Sequence, residues 1–418
     1  MKYIKDISSF SLPLIINSCT SIIYGILLLG LVSNAPGDIT LVVLAINSLN
    51  YIIIGALGYI SSAFQIVLGN SNTNESNIIF SSTIVSTIVI WICYFILLLV
   101  FGNVILTSYL NLEGAVLDNG RIYLVVSNLG TLLVLICFVF NAKFKMLGNT
   151  KIILNISIIA SVLSILLLSL VIKFKPSIMM ISLWSLTQPV ITFCLSYWYL
   201  LQSKITFSLK CSLEYVKRIV KNSLLMSLQE IFDTTIILIC IEGILANLDH
   251  TVYQGYLITN QLLTYLLIPL YMVTAALYTY IPRTIASARD KRGYIKTVLY
   301  MNATIYIVGF IVMIILGEQV IELLSADFMV ATEAVVLIKY VFGASVLMPV
   351  YITLRALIQI EENSSKIIMP TLIINIFTVV LLLITDSTLE MFGLVFINYL
   401  VLSISFYVIY RINKANDI

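Results

Sequence analysis

Residues 222–246 read NSLLMSLQEIFDTTIILICIEGILA, an apolar run long enough to cross a bilayer that carries Glu230 and Asp233 near its middle. Roughly 20 apolar residues span the hydrocarbon core, and a carboxylate at that depth is costly unless it faces a bundle interior or a watery cavity. The acids begin about 8 and 11 residues into the run, which at about 1.5 Å per residue is roughly 12–17 Å deep, near the middle of a ~30 Å core. Three positions apart, they would share one face of a continuous helix. The other acids inside apolar runs, Glu242, Glu333 and Glu390, lie near run ends.

Composition fixes the class around this stretch. Of 418 residues, 60% are hydrophobic and 10% charged, with a mean hydropathy of +1.07. That describes a polytopic membrane protein and excludes a soluble enzyme. A net charge of +3 is too small to argue for nucleic acid. Six cysteines without a CxxC pattern read as small buried hydrophobes, with neither a disulfide framework nor a metal site. MKYIKDISSFSLPLII has no small-residue cleavage site before its apolar run continues, so it reads as a retained first helix.

Hydropathy draws twelve transmembrane spans, roughly 8–32, 39–68, 78–101, 119–142, 151–173, 177–202, 222–246, 251–281, 294–317, 331–358, 366–386 and 388–411. Lys and Arg cluster on one side, at Lys2 and Lys5, Lys143 to Lys151, Lys204 to Lys221, Arg283 to Lys296, Lys366, and Arg411 and Lys414. The opposite side is mostly acidic, with Arg121, Lys173 and Lys175 as exceptions. The bias predicts that both termini are cytoplasmic. Residues 203–221 combine Leu213, Val216, Ile219 and Val220 at near-helical spacing with Lys217, Arg218 and Lys221, the pattern of a short amphipathic helix on the inner membrane surface.

The halves resemble each other. KIILNISIIASVLSILLL from Lys151 matches KIIMPTLIINIFTVVLLL from Lys366, 215 positions later, and NSLNYIIIGALGYISSA from Asn47 matches NQLLTYLLIPLYMVTAA from Asn260, 213 positions later. The expectation is an all-α bundle of twelve transmembrane helices in two pseudo-symmetric six-helix lobes. Residues 1–202 form the first lobe, 203–221 a cytoplasmic amphipathic linker, and 222–418 the second lobe. A parallel repeat of this kind places substrate sites near the midplane.

Several stretches resemble the multidrug and toxic compound extrusion (MATE) family of the MOP flippase superfamily: LPLIINSCTSIIYG in span one, AKFKMLGNTKI after span four with its counterpart LRALIQIEENSSKIIMP, and YQGYLITNQLLTYLLIPLYMVTAALYTYIPRTIASA across span eight. The resemblance implies alternating access, with a proton or sodium gradient driving export of amphipathic, cationic compounds. It places the family's span-seven acid on Asp233, one turn after Glu230. Where the family often carries a span-one aspartate, this chain has Leu28 in ILLLGLV, which moves any coupling site to the second lobe.

Asp233 and Glu230 are therefore the candidate proton-, sodium- or cation-binding residues. Asn17, Tyr24, Gln188, Asn260, Gln261 and Arg355 are candidate cavity-lining residues, since lipid would leave polar side chains unsatisfied. Arg355, at an inner span end, is expected to snorkel to lipid phosphates or cap the lobe interface. Pro269 and Pro349 are candidate hinges, because proline leaves a helix carbonyl unpaired. No nucleotide-binding, HExxH or GxSxG motif is visible, so neither ATP-driven transport nor enzymatic chemistry is supported. The expected partners are a small amphipathic or lipid-like substrate and membrane lipids, with no nucleic acid; the protein is expected to be a monomer of a bacterial cytoplasmic membrane, without a metal or organic cofactor. The alternatives are a flippase or exporter of lipid-linked oligosaccharide, lipid or peptide from the same superfamily, and a non-transporting membrane scaffold.

Overall fold

A computed structural model of the chain describes residues 2–32, 39–71, 75–109, 113–173, 177–203, 210–232, 236–248, 250–283, 288–324, 328–385 and 387–416. Helices account for nearly all of them, as apolar surroundings require: with no water to satisfy it, the backbone must pair with itself. In chain order the α-helices are α1 (Lys2–Val32), α2 (Ile39–Leu57), α3 (Tyr59–Gly69), α4 (Ser76–Val104), α5 (Gly114–Met146), α6 (Thr150–Lys173), α7 (Ile178–Ser185), α8 (Thr187–Gln202), α9 (Leu213–Glu230), α10 (Ile236–Leu248), α11 (His250–Arg283), α12 (Ala288–Leu324), α13 (Phe328–Ala344), α14 (Met348–Ile360), α15 (Ser364–Leu382) and α16 (Thr388–Asn416).

Helices lie along all twelve expected spans, but not every one is long and apolar enough to cross a membrane by itself. Among the described residues nine segments are long and apolar enough to cross a membrane, and the bent pair α13–α14 makes a tenth. The remaining two are interrupted, α2–α3 at Gly58 and α9–α10 after Glu230. At Gly58 a Cβ would stand 2.9 Å from the Ile54 carbonyl oxygen and 3.1 Å from the Phe138 ring of α5, so a side chain would push the break off its neighbour. Between α13 and α14 the axis bends by 42°. Pro349 falls in the first turn of α14, where its missing N–H leaves no bond unmade. Pro269 lies inside the uninterrupted α11.

The chain forms two compact units, Leu12–Leu224 and Met1–Ser11 with Leu225–Ile418. Residues 1–11, which the sequence division assigns to the first lobe, thus pack with the second. The amphipathic segment also differs from expectation. Its described part is not a separate surface helix but the opening of α9, which runs on unbroken into the seventh span. Each unit has its own core. In the C-terminal unit it is built on Tyr306, Phe342, Tyr351 and Phe406, and in the N-terminal unit on Val43, Ile46, Tyr123, Leu168 and Trp184.

One turn shows the internal repeat at atomic detail. After α5, the Gly148 N–H donates to the Lys145 carbonyl (3.0 Å) and Asn149 N–H to that of Phe144 (2.9 Å). After α14, Glu362 N–H donates to Gln359 (2.9 Å) and Asn363 N–H to Ile358 (3.2 Å). Both turns put a residue in the left-handed region, Gly148 at φ 78° and Glu362 at φ 58°. Gly148 and Glu362 are 214 positions apart, between the two offsets read from the sequence. The pair of bonds is the same helix C-cap, built once in each half.

Candidate functional site

The interior of the C-terminal unit is polar along several helices. The α-helical ladder of the seventh span stops at Glu230 and passes into a π-type turn at residues 231–232. The expectation that the two acids share one helix face falls outside the described residues, which end at residue 232 on this side of the gap. Asp233 lies outside the described residues. The Phe232 carbonyl, freed at this turn, accepts from Asn375 Nδ2 at 2.6 Å, and Asn375 Oδ1 accepts in turn from Asn398 Nδ2 at 3.1 Å.

Glu230 meets Arg355. The carboxylate Oε2 lies 2.9 Å from guanidinium Nη1, and the guanidinium also rests 5.8 Å from the centre of the Tyr351 ring. Sequence reasoning sent Arg355 to lipid phosphates or to the lobe interface, and counted it among candidate cavity-lining residues. The structure buries its side chain on α14, a helix buried along nearly its whole length. A charge so placed needs a counter-ion, and Glu230 supplies it. Beside the pair, Gln359 Nε2 donates to Gln229 Oε1 at 2.9 Å, and Tyr278 hydroxyl donates to Gln359 Oε1. Asn302 Nδ2 donates to Thr274 Oγ1 at 2.8 Å and reaches Thr353 Oγ1 at 3.4 Å.

The N-terminal unit has a polar interior of another kind, with aromatics and amides and, among the described residues, no acid at its centre. Asn128 is its node: Nδ2 donates to Asn50 Oδ1 (2.9 Å) and to the Leu124 carbonyl (2.8 Å), while its Oδ1 accepts from the Tyr94 hydroxyl. Trp91 Nε1 donates to the Asn128 carbonyl and to Thr131 Oγ1. Tyr123 donates to Asn47 Oδ1 at 3.0 Å.

The candidate residues distribute between these interiors. Tyr24 pairs with Ser164 at 3.1 Å, and Gln188 Nε2 reaches Ser161 Oγ at 3.4 Å. Asn17 is half-buried, and its Oδ1 has no hydrogen-bond partner among the described residues. In the C-terminal unit Asn260 is half-buried on α11. Gln261 is exposed and donates along its own helix to Tyr265 at 2.6 Å, so it is not part of the closed interior of its unit. Gln229, Asn302, Gln359, Asn375 and Asn398 in one unit, and Asn50 and Asn128 in the other, were not singled out from sequence. The signal was present, since an amide in an apolar run demands a partner, but the run does not say which helix provides it.

These observations define a multi-pass membrane bundle in two lobes with polar, hydrogen-bonded interiors. Its fold is that of MATE transporters of the MOP superfamily. A solved MOP superfamily transporter from Pyrococcus furiosus Vc1 (DSM3638), described as having a binding pocket of reverse polarity that suggests a different function, matches with a TM-score of 0.86 at 15% identity over 99% of this chain and 96% of that one. A multidrug resistance MATE family transporter solved in an outward-facing conformation matches with a TM-score of 0.84 at 16% identity, over 99% and 96%. A MATE structure in complex with MaL6 gives 0.84 at 14% identity, over 99% and 97%. At these identities the likeness is one of fold. No protein-family model and no curated protein matches the sequence.

Proposed function

We propose that the protein is a secondary active exporter whose ionisable site is the Glu230–Arg355 pair of the C-terminal lobe. The fold supports the transporter class, and the buried pair carries the assignment. A carboxylate paired with a guanidinium can exchange that partner. A proton neutralises it, and sodium or an amphipathic organic cation competes with Arg355 for the same oxygens. Competition for one carboxylate is what couples two fluxes in an antiporter, provided each ligand favours a different arrangement of the lobes. Asp233, three residues further on, is the second acid of this proposal. On this reading the protein works as a monomer in a bacterial cytoplasmic membrane, by alternating access and with both termini inside.

Export of an amphipathic fluorescent cation from energised cells tests the proposal. Glu230→Gln and Asp233→Asn, at normal membrane expression, are expected to abolish or strongly reduce it. Export that survives both substitutions sinks the cation-antiport reading.

Arg355 itself favours a second reading. A guanidinium stacked on Tyr351 and paired with a carboxylate can instead receive the anionic head of a lipid-linked substrate in place of Glu230. In that case Arg355→Gln, and not Glu230→Gln, stops translocation of a fluorescent anionic lipid in proteoliposomes.

A further inference from the structure

The chain passes between its two units inside helices, at residues 11/12 of α1 and at 224/225 of α9. These crossings are 213 positions apart, the offset of the internal repeat. The first helix of each repeat therefore begins in the unit built by the other repeat. Both beginnings are held in the same way. In the C-terminal unit the Tyr3 hydroxyl, on the first turn of α1, donates to Asp290 Oδ1 at 2.7 Å. In the N-terminal unit the Tyr215 hydroxyl, on the first turn of α9, donates to Glu75 Oε2. Tyr3 and Tyr215 are 212 positions apart, and Glu75 and Asp290 are 215 apart.

The acids occupy matching places too. Asp290 is in the first turn of α12 and Glu75 immediately precedes α4, the third span of each repeat. A carboxylate at a helix N-terminus is stabilised by the helix dipole while its second oxygen accepts the phenol. Further contacts back each clasp. Tyr294 hydroxyl donates to Asp6 Oδ2 at 2.9 Å, and the Tyr3 ring packs edge-on against Tyr294 at 4.9 Å. A Cβ at Gly293 would stand 2.4 Å from the Tyr3 ring, so only glycine admits this seat. In the other unit Ser82 Oγ accepts from the Ser212 N–H at 3.1 Å.

We infer that Tyr3–Asp290 and Tyr215–Glu75 are two equivalent clasps of the repeat, each locking the start of one lobe's first helix into the opposite lobe. The clasps are tested without transport.

The test is amide hydrogen exchange of the full chain in lipid nanodiscs. Losing one hydrogen bond of ordinary strength should raise local opening, and hence exchange, about five-fold. Tyr3→Phe is expected to accelerate residues 2–11 and leave 213–224 unchanged, and Tyr215→Phe to do the reverse. Asp290→Asn and Glu75→Gln keep an acceptor oxygen and should show smaller effects. Unchanged exchange in the segment next to either Phe substitution overturns the clasp, and so does acceleration of both segments by one substitution. Cation export, measured separately in cells, can fail without altering either outcome.

Discussion

Arg355 Nη1 stands 2.9 Å from Glu230 Oε2, with the guanidinium side chain 6% exposed and the carboxylate 26% exposed. The asymmetry decides the energetics. The arginine has given up nearly all its hydration and depends on its partner, whereas the glutamate keeps a quarter of its surface accessible. Removing one partner of a buried pair leaves an uncompensated charge, which destabilises more than deleting both.

Arg355→Met is accordingly tolerated and Glu230→Gln is not. Loss of the carboxylate should lower stability by about 2–4 kcal/mol, under the fully buried range because Glu230 is partly exposed. The double variant Glu230→Gln/Arg355→Met should recover most of that loss. Thermal unfolding of the purified protein checks this, and a double variant no more stable than Glu230→Gln alone would refute it.

The two repeat-related turns make opposite predictions for similar changes. Glu362 carries a Cβ at φ 58°, so Glu362→Gly should stabilise the chain by about 0.5–1 kcal/mol. Gly148 sits at φ 78°, and Gly148→Ala should destabilise by about 1 kcal/mol. Parallel thermal melts of the two variants read the signs directly. Equal signs would mean that the turns are not equivalent.

Tyr215 lies outside the spans, and its phenol is pushed above the ordinary value of 10.0, first by its hydrogen bond to Glu75. A group whose folded-state pKa is raised contributes stability that is complete below the unfolded value and lost as pH rises through the folded one. Exchange of residues 213–224 should therefore be insensitive to this group up to about pH 10 and accelerate beyond it, after correction for intrinsic exchange. Tyr215→Phe should remove that alkaline step. An identical step in the Phe variant would show that another group titrates there.

Much of the architecture was legible because a bilayer punishes unpaired backbone and exposed charge so heavily. The apolar runs gave twelve spans, and the likeness of Lys151 and Lys366 segments gave the repeat that Gly148 and Glu362 display in matching turns. Hydropathy cannot see where a helix breaks. The break at Gly58 and the 42° bend before Pro349 both fall inside apolar runs.

The sequence by itself determined the membrane class, the all-helical architecture and the two-fold repeat, because each follows from the solvent and from local periodicity. Only the tertiary structure decided partners. It gave Glu230 to Arg355, 125 positions away, seated Asn128 among Asn50, Tyr94 and Trp91, and put residues 1–11 with the C-terminal unit. A buried polar group must be satisfied, but which of many distant groups satisfies it depends on how helices far apart in the chain pack, and no local pattern encodes that.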